Sequence, residues 1–278
     1  QIIDLTYNPN PAVKYLFHSP GFNVQLRQTG FSYDTYSDTI DQAQTQIRLD
    51  HIKSLPEIQR EKELELFRAT ATRDWHRVDI ELVGCNANAQ VITEVQSYAY
   101  FNYIKTPGLQ GGSADNVHYY QKVVYKDIYP NIDLEFLAPS LQSTPGKTPE
   151  YNFIIHPGGN PADIKLAYKG ANNITLKDDK LVVGVSSGSF TESIPSSYLK
   201  DTKQPVEVNY KDLGNNTYTF SVPANIVLKS DLVIDPVTVT LTWCSYVGDA
   251  GNVGQTDWGG GDEARAVAID GSDNVYVT

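Results

Sequence analysis

Short segments in which apolar and polar residues alternate recur along most of the chain, and turn-forming residues separate them. In residues 78–82, for example, Val78, Ile80 and Leu82 alternate with two carboxylates. A period of two puts alternate side chains on one face of a β-strand. After residue 150, such segments follow one another at the short spacing typical of a β-sandwich. The pattern therefore predicts an all-β fold with β-sandwich-like regions.

One segment, residues 53–70, has the period of a helix instead. Pro56 fits its first turn, where a backbone N–H is not needed. Its charged residues are expected to face solvent, and its apolar residues to cover one helical face: Leu55, Ile58, Leu64, Leu66 and Phe67. The sequence therefore predicts one short helix within the N-terminal β-rich region.

A polar stretch rich in Pro, Ser, Thr and Gly, residues 139–149, is the best candidate for an internal hinge. A second group of predicted strands follows it and ends at Asp235 and Pro236. We therefore expect an N-terminal β-rich subdomain at 1–138 and a second β-sandwich-like subdomain at 150–237.

The end of the chain, residues 264–278, has the pattern of a β-hairpin. Bulky residues alternate with alanines in its first half, which leaves one face small enough for close packing. Residues 270–274 contain Asp, Gly and Asn, which favour a tight turn. The β-branched and aromatic residues at 275–278 favour a second strand.

Several motifs in fixed order together resemble a known family. The motif WCSYVG at 243–248, joined to 264–278, resembles the first SBBP-type β-propeller repeat. The motifs upstream resemble the β-rich domain that precedes such repeats in large secreted proteins of the Bacteroidetes: WHRVDIELVG at 75–84, YYQKV at 119–123, IYPNIDL at 128–134, YNF at 151–153, IKL at 164–166 and LVIDP at 232–236.

The resemblance implies that residues 238–278 begin a β-propeller and form one incomplete blade. It also implies a non-catalytic protein, secreted or held at the outer-membrane cell surface as a type IX secretion cargo associated with gliding motility. An adhesive or scaffold role follows, with surface proteins or glycans, or the secretion and gliding machinery, as partners. Two alternatives stay open: a secreted hydrolase whose active site lies in the propeller beyond this chain, and a module that docks to that machinery.

The net charge makes nucleic acid an unlikely partner. It is −11, from 33 acidic and 22 basic residues, and the sequence contains no stripe of basic residues. The electrostatic field therefore opposes a nucleic-acid backbone. The chain contains no run of 18 apolar residues, so no membrane-spanning helix is expected.

Export is also indicated by the absence of Met. A chain that lacks Met and begins at Gln1 is expected when a signal peptide has been removed, although a sequence that simply starts at this residue has the same property.

The two cysteines, Cys85 and Cys244, are far apart in the sequence. In an exported protein they can form a disulfide that ties the first β-rich region to the start of the repeat. Two buried thiols within strands are an equally acceptable interpretation.

One motif suggests an enzyme. Residues 184–188 match G-x-S-x-G, with Ser186 in the place of the nucleophile. A nucleophile elbow requires a helix directly after the serine, whereas strand-like residues followed by Pro195 come next. A β-hairpin turn is therefore the preferred interpretation, and a histidine beside Ser186 would favour the hydrolase.

Paired carboxylates are a second catalytic candidate. Asp79 with Glu81, and Asp133 with Glu135, share strand faces. A glycosidase needs such a pair across a sugar-sized cleft, and outward-facing carboxylates on half-exposed strands are the ordinary alternative. The five histidines lack metalloprotease spacing, and His76, which shares a strand face with Asp74, is expected to be structural. No catalytic residue is assigned.

Two further sites follow from local motifs. Residues 270–274 resemble the opening of a calcium loop, which Asp249, Asp257 and Asp262 could complete, but a blade turn is preferred. No other cofactor is expected. Thr39, within Asp-Thr-Ile, resembles the Bacteroidetes O-glycosylation motif and is a candidate glycan acceptor.

Overall fold

The protein is described here by a computed structural model. The residues it describes are 10–19, 21–39, 50–57, 59–60, 63, 72–104, 113–138, 150–194, 197–223, 228–241, 267–269 and 275–277. Antiparallel β-sheets dominate the fold, and the predicted all-β class is confirmed.

The strands are numbered in chain order. They are β1 (Val13–Ser19), β2 (Phe22–Arg27), β3 (Gly30–Thr39), β4 (Thr72–Leu82), β5 (Gln90–Ile104), β6 (Ser113–Tyr129), β7 (Ile132–Leu137), β8 (Glu150–Ile155), β9 (Leu166–Lys169), β10 (Asn173–Lys177), β11 (Lys180–Val185), β12 (Gly188–Ser193), β13 (Tyr198–Leu199), β14 (Asn209–Gly214), β15 (Thr217–Ser221), β16 (Leu232–Ile234), β17 (Val237–Leu241), β18 (Val267–Ile269) and β19 (Val275–Val277). A short 3-10 helix covers Pro161–Asp163.

The strands form three main sheets. The first has the order β1-β2-β3-β4-β9-β15-β14, the second β13-β16-β8-β7-β6-β5, and the third β10-β11-β12-β17. Strands β18 and β19 form a separate two-stranded sheet, with Val267 opposite Val277, so the hairpin predicted in residues 264–278 is confirmed.

Two-residue turns made of Asp or Asn close two of the hairpins. Asp178 and Asp179 join β10 to β11, and Asn215 and Asn216 join β14 to β15, all four with φ between 50° and 55°. Positive φ at both central residues is the geometry of the type I′ turn, whose twist matches that of the flanking strands. Asn and Asp tolerate this conformation better than other residues with a Cβ.

Strand pairing crosses the predicted boundary between subdomains 1–138 and 150–237, and the division into subdomains stays a prediction. Strand β7 pairs with β8 along its whole length, across the proposed hinge, and β4 pairs with β9. The first and second sheets therefore each contain strands from both predicted subdomains. A polar, Pro-rich stretch can connect two neighbouring strands of one sheet as readily as it connects two subdomains.

Strand β17 overlaps the start of the predicted blade, residues 238–278, and the blade itself stays a prediction. Strand β17 pairs with β12, with Leu241 opposite Phe190, and so completes the third sheet. Asp235 and Pro236 end β16 but do not end the domain, because the next strand returns to the same fold.

The predicted helix begins earlier than expected. Residues 50–54 are helical, and Ile52 is buried. The helix is interrupted at residues 55–56. The Pro56 carbonyl then accepts hydrogen bonds from the N–H groups of Gln59 and Arg60, which starts a new helical turn as Pro at a helix start allows.

Aromatic rings join the three sheets into one core. Phe31 of the first sheet packs against Phe136 of the second, with ring centroids 5.2 Å apart. Tyr33 of the first sheet packs against Phe190 of the third at 5.3 Å. Each fully buried side chain of this size contributes about 1.5–3 kcal/mol to burial free energy. The second and third sheets therefore both bury their apolar face against the first.

Candidate binding surface

The two longest strands extend beyond the sheet to which they belong. Strand β7 pairs with β6 only up to Lys122, and the Ala138 N–H donates to the Gln121 carbonyl at 2.8 Å at the last shared position. Among the described residues, the rest of β6 pairs with β5 alone. We call residues 95–104 and 113–121 the β5–β6 arm. At about 3.3 Å per residue, its nine β6 residues span about 30 Å.

The arm carries exposed aromatic side chains. Tyr98 is fully exposed, at 102% of its reference area, and Tyr100 and Tyr119 are 51% and 56% exposed. The arm is nearly uncharged, because Asp115 is its only Asp, Glu, Lys or Arg. Tyrosine is enriched at protein interfaces, where its rigid ring supplies contact area and its hydroxyl a hydrogen bond. The arm is therefore the candidate binding surface.

The base of the arm has an irregular backbone. Val95 has φ of 55°, which is a strained conformation for a β-branched residue. The pairing register shifts between Gln96 and Tyr100, so three residues lie opposite Tyr119. Such a bulge redirects a strand and re-aims its side chains. Strain and a bulge thus coincide where the arm leaves the sheet.

Specific contacts hold the arm in place. The His118 Nδ1 atom lies 3.1 Å from the Ser97 carbonyl, across the bulge. The Tyr100 ring lies over His118, with centroids 5.6 Å apart, and Tyr120 meets Tyr15 of β1 edge to face at 6.2 Å. These contacts fix the strand pair that carries the exposed tyrosines, so the tyrosines do not lie on a free loop.

Sequence reasoning identified only part of this surface. The alternating pattern indicated β-strands in general here and assigned no binding role to the tyrosines. The available signal was the aromatic-rich run at 98–103, which has no charged residue on either face. Such a strand is unusual in a half-solvated sheet.

The G-x-S-x-G motif lies in a hairpin turn, as expected. Strand β11 ends at Val185, which pairs with Gly188 at the start of β12. Ser186 and Ser187 are the two turn residues between them. A strand, and not a helix, follows the serine, so the backbone of a nucleophile elbow is absent at this position.

His76 lies beside Ser186, but its two ring nitrogens bind main-chain groups. The Ser186 N–H donates to Nδ1 at 3.1 Å, and Nε2 donates to the Gly170 carbonyl at 2.8 Å. This arrangement requires the neutral ring with its proton on Nε2, and Nδ1 already accepts a hydrogen bond. The imidazole therefore pins the hairpin to β4 and is not placed to activate the serine hydroxyl.

Cationic side chains neutralise both predicted carboxylate pairs. The ion pairs are Arg77 with Asp79 at 2.8 Å, Lys169 with Glu81 at 2.7 Å, Lys126 with Asp133 at 2.6 Å and Lys122 with Glu135 at 2.6 Å. Asp133 is buried, not half-exposed as expected, because Lys126 and His156 cover it. Carboxylates that are paired with lysine or arginine in this way stabilise the sheets and are not free to act as a catalytic pair.

His156 bridges two carboxylates. Its Nδ1 lies 2.9 Å from Asp231 and its Nε2 3.3 Å from Asp133. Burial acts to lower its pKa, but the hydrogen bonds to Asp231 and Asp133 raise the pKa above its ordinary value. The ring is thus held toward the imidazolium form and is poorly suited to act as a base at neutral pH.

The remaining candidate sites have these positions. Thr39 is the last residue of β3 and pairs with Thr72, so it ends a strand and does not lie in a loop. Cys85 is half-buried, and burial raises the pKa of its thiol. Cys244 lies outside the described residues, so the Cys85–Cys244 disulfide stays a prediction.

The predicted calcium ligands lie outside the part of the chain that the structure describes: residues 270–274, Asp249, Asp257 and Asp262. Within the described residues, no three His, Cys, Asp or Glu side chains are grouped so that they could hold a metal ion. No described helix has the length and apolar character needed to cross a bilayer.

Comparison with known proteins identifies a family that matches most of the chain. Residues 3–237 match a protein family described as a domain of unknown function, DUF7948. The chain belongs to the DUF7948 family. The DUF7948 match contains the whole β5–β6 arm and the first sixteen strands, and it ends at the first residue of β17. No curated protein and no solved structure matches the chain.

Proposed function

We propose that this chain is the N-terminal part of an exported, non-catalytic protein of the cell surface or the medium, and that it binds protein or glycan partners through the β5–β6 arm. The observation that carries the binding role is the exposure of Tyr98, Tyr100 and Tyr119 on a strand pair that leaves its sheet. The export assignment rests on the sequence resemblance to SBBP-repeat proteins of the type IX secretion pathway.

The physical argument for binding starts from the cost of exposed rings. A ring exposed to water does not gain the burial free energy that the buried tyrosines of the core gain. A fixed tyrosine loses little side-chain entropy when it binds a partner, so its full contact area contributes to affinity. Because the arm is nearly uncharged, a partner that approaches it meets little of the repulsion that the net charge of −11 would cause elsewhere on the chain.

The physical argument against a catalytic role uses the candidate groups themselves. His76 and His156 use both ring nitrogens in structural contacts. The carboxylates predicted as pairs are bound to lysine or arginine. This arrangement argues against a hydrolase site built from these residues and supports a binding role for this part of the chain.

Removal of the exposed rings tests the proposal. The variant Tyr98→Ser/Tyr119→Ser is compared with Leu16→Ser/Leu213→Ser, which removes similarly exposed apolar side chains from the two edge strands of the first sheet. The probe is the fluorescently labelled chain, titrated onto intact cells of a gliding Bacteroidetes bacterium. We expect the arm variant to bind at least about tenfold more weakly, the effect of losing interface anchor residues, and the edge variant to bind as wild type.

The class of partner is distinguished in the same experiment. Protease treatment of the cells abolishes binding to a protein partner, whereas periodate oxidation abolishes binding to a glycan. Equal binding by the arm variant and the wild type, or no saturable binding by either, contradicts the proposed function.

A further inference from the structure

A carboxyl group lies in the core at the point where the three main sheets meet. Glu192, on β12 of the third sheet, is 2% exposed. Tyrosines from the other two sheets surround it: Tyr33 on β3, Tyr168 on β9 and Tyr210 on β14 from the first sheet, and Tyr151 on β8 from the second. The side chain of one residue thus touches all three layers.

The tyrosine hydroxyls satisfy only one side of the carboxyl group. The Tyr168 and Tyr151 hydroxyls both donate to Oε2, the second at 3.3 Å. Oε1 has no hydrogen-bond partner, and neither has the buried hydroxyl of Tyr210. A buried carboxylate with one unsatisfied oxygen is unfavourable, whereas a carboxylic acid has a proton to share with a nearby hydroxyl.

Among the residues that the structure describes, no cation lies near Glu192 to neutralise a carboxylate. Every ionisable group that faces Glu192 from β3, β8, β9 and β14 is one of the four tyrosines. On its own sheet, β11 places Leu181 opposite it, and β17 has the sequence VTVTL. Burial raises the pKa of Glu192, and the hydroxyls of Tyr168, Tyr33 and Tyr151 offset this only in part.

We propose that Glu192 is a proton-binding site that locks the third sheet onto the first and second sheets. With the proton bound, the neutral acid sits among the tyrosines and the sheets stay packed. Loss of the proton leaves a charge with no counter-ion in the core, and β10–β12 with β17 then loosen so that water reaches the carboxylate. The third sheet is the element that moves, because Glu192 belongs to it and it has the fewest strands of the three.

The pH dependence has a definite sign. Because the pKa of Glu192 is raised in the folded state, its contribution to stability is complete below the unfolded pKa, near the ordinary 4.5. The contribution is lost as the pH rises through the folded pKa. The four tyrosines have pKa values raised well above 10.0, so they keep their protons throughout this range.

Hydrogen exchange of β10–β12 amides between pH 5 and pH 9 tests the lock, after correction for intrinsic exchange rates. In the wild type, the opening constant of these strands should rise with pH, by about tenfold for each unit by which the pKa of Glu192 is raised. Glu192→Gln, which cannot ionise, should give a constant value over the same range. Glu207→Gln, a matched variant at an exposed glutamate, should behave as wild type.

A second measurement does not depend on a folded variant. Carbon-13 NMR of the wild type, labelled at glutamate Cδ, should show one side chain that titrates above all the others. The proposal is overturned if every glutamate titrates near its ordinary value, or if Glu192→Gln shows the same pH-dependent opening as the wild type.

Discussion

Tyrosine has opposite roles in two regions of this molecule. Around Glu192, the rings of Tyr33, Tyr151, Tyr168 and Tyr210 lie fully inside the core, and hydroxyls from this set face one carboxyl group. On the β5–β6 arm, Tyr98, Tyr100 and Tyr119 are half to fully exposed. Both regions consist of antiparallel strands rich in the same residue, so the residue type does not determine the role. The position of the strand relative to a facing sheet determines it.

The difference has an energetic meaning. An interior tyrosine contributes to folding through its ring and meets the hydrogen-bonding need of a buried neighbour through its hydroxyl. Tyr98 on the arm is fully exposed, so its ring contributes little to folding and stays available for a partner. Substitutions should therefore divide cleanly between stability in one region and binding in the other.

The largest expected effect is from truncating an interior ring. Tyr151→Ala removes a fully buried side chain that packs against Phe31 at 5.1 Å, and should lower the free energy of unfolding by about 3–5 kcal/mol. Tyr98→Ala, its counterpart on the arm, should stay within about 0.5 kcal/mol of wild type. Urea denaturation measures both values. A similar loss at the two positions would break the comparison.

A smaller effect is expected from removing one interior hydroxyl. Tyr168→Phe keeps the ring and removes the donor to Glu192 Oε2, which should cost about 1–2 kcal/mol. The loss should be greater at pH 9 than at pH 5, because this hydrogen bond favours the ionised carboxylate.

The matched control is Tyr218→Phe, at a ring that packs against Tyr168 but does not act on Glu192. Thermal unfolding at the two pH values should show a pH-dependent difference for Tyr168→Phe alone. The same change in both variants would mean that the hydroxyl bond to Glu192 is not its cause.

The smallest effect should be a gain in stability at the base of the arm. Val95→Asn replaces a β-branched residue at φ of 55° by one that tolerates this conformation, and should stabilise by about 0.5–1 kcal/mol. Val117→Asn, an exposed arm residue that is not in a positive-φ conformation, should give no gain. Differential scanning calorimetry resolves the shift in Tm. A lower Tm for Val95→Asn would show that Val95 is not strained.

The local elements of the fold were largely predictable from the sequence. Alternation identified β4 and β11, and the residues after Ser186 correctly indicated a hairpin turn. The same alternation does not say which strands are neighbours, because a strand with one apolar face can pair with any other. The placement of β9 between β4 and β15 therefore had no local signal, and neither had the pairing of β7 with β8.

The two tyrosine regions differ in how far the sequence revealed them. Glu192 follows the buried Phe190 by two residues, so a period of two already put its carboxyl on the core face. The exposure of the arm was not indicated as directly: the uncharged aromatic run at 98–103 marks an unusual strand, but aromatic strand residues are ordinarily buried. Among the described residues, β7 ends its pairing at Leu137 and leaves the rest of β6 with β5 as its neighbour, which accounts for the exposure of the arm.

The pairing of β9 with β4 on one side and β15 on the other also governs how the chain folds. The first four strands can form hairpins with their immediate neighbours, but the first sheet stays incomplete until β9 and β15 have been synthesised. Closing such long loops costs chain entropy before any contact repays it, so folding should be slow for a domain of this size. Until then the apolar face of β2–β4 and the open edge of β4 remain available for incorrect strand pairing, which makes a partly synthesised chain the form most prone to aggregate.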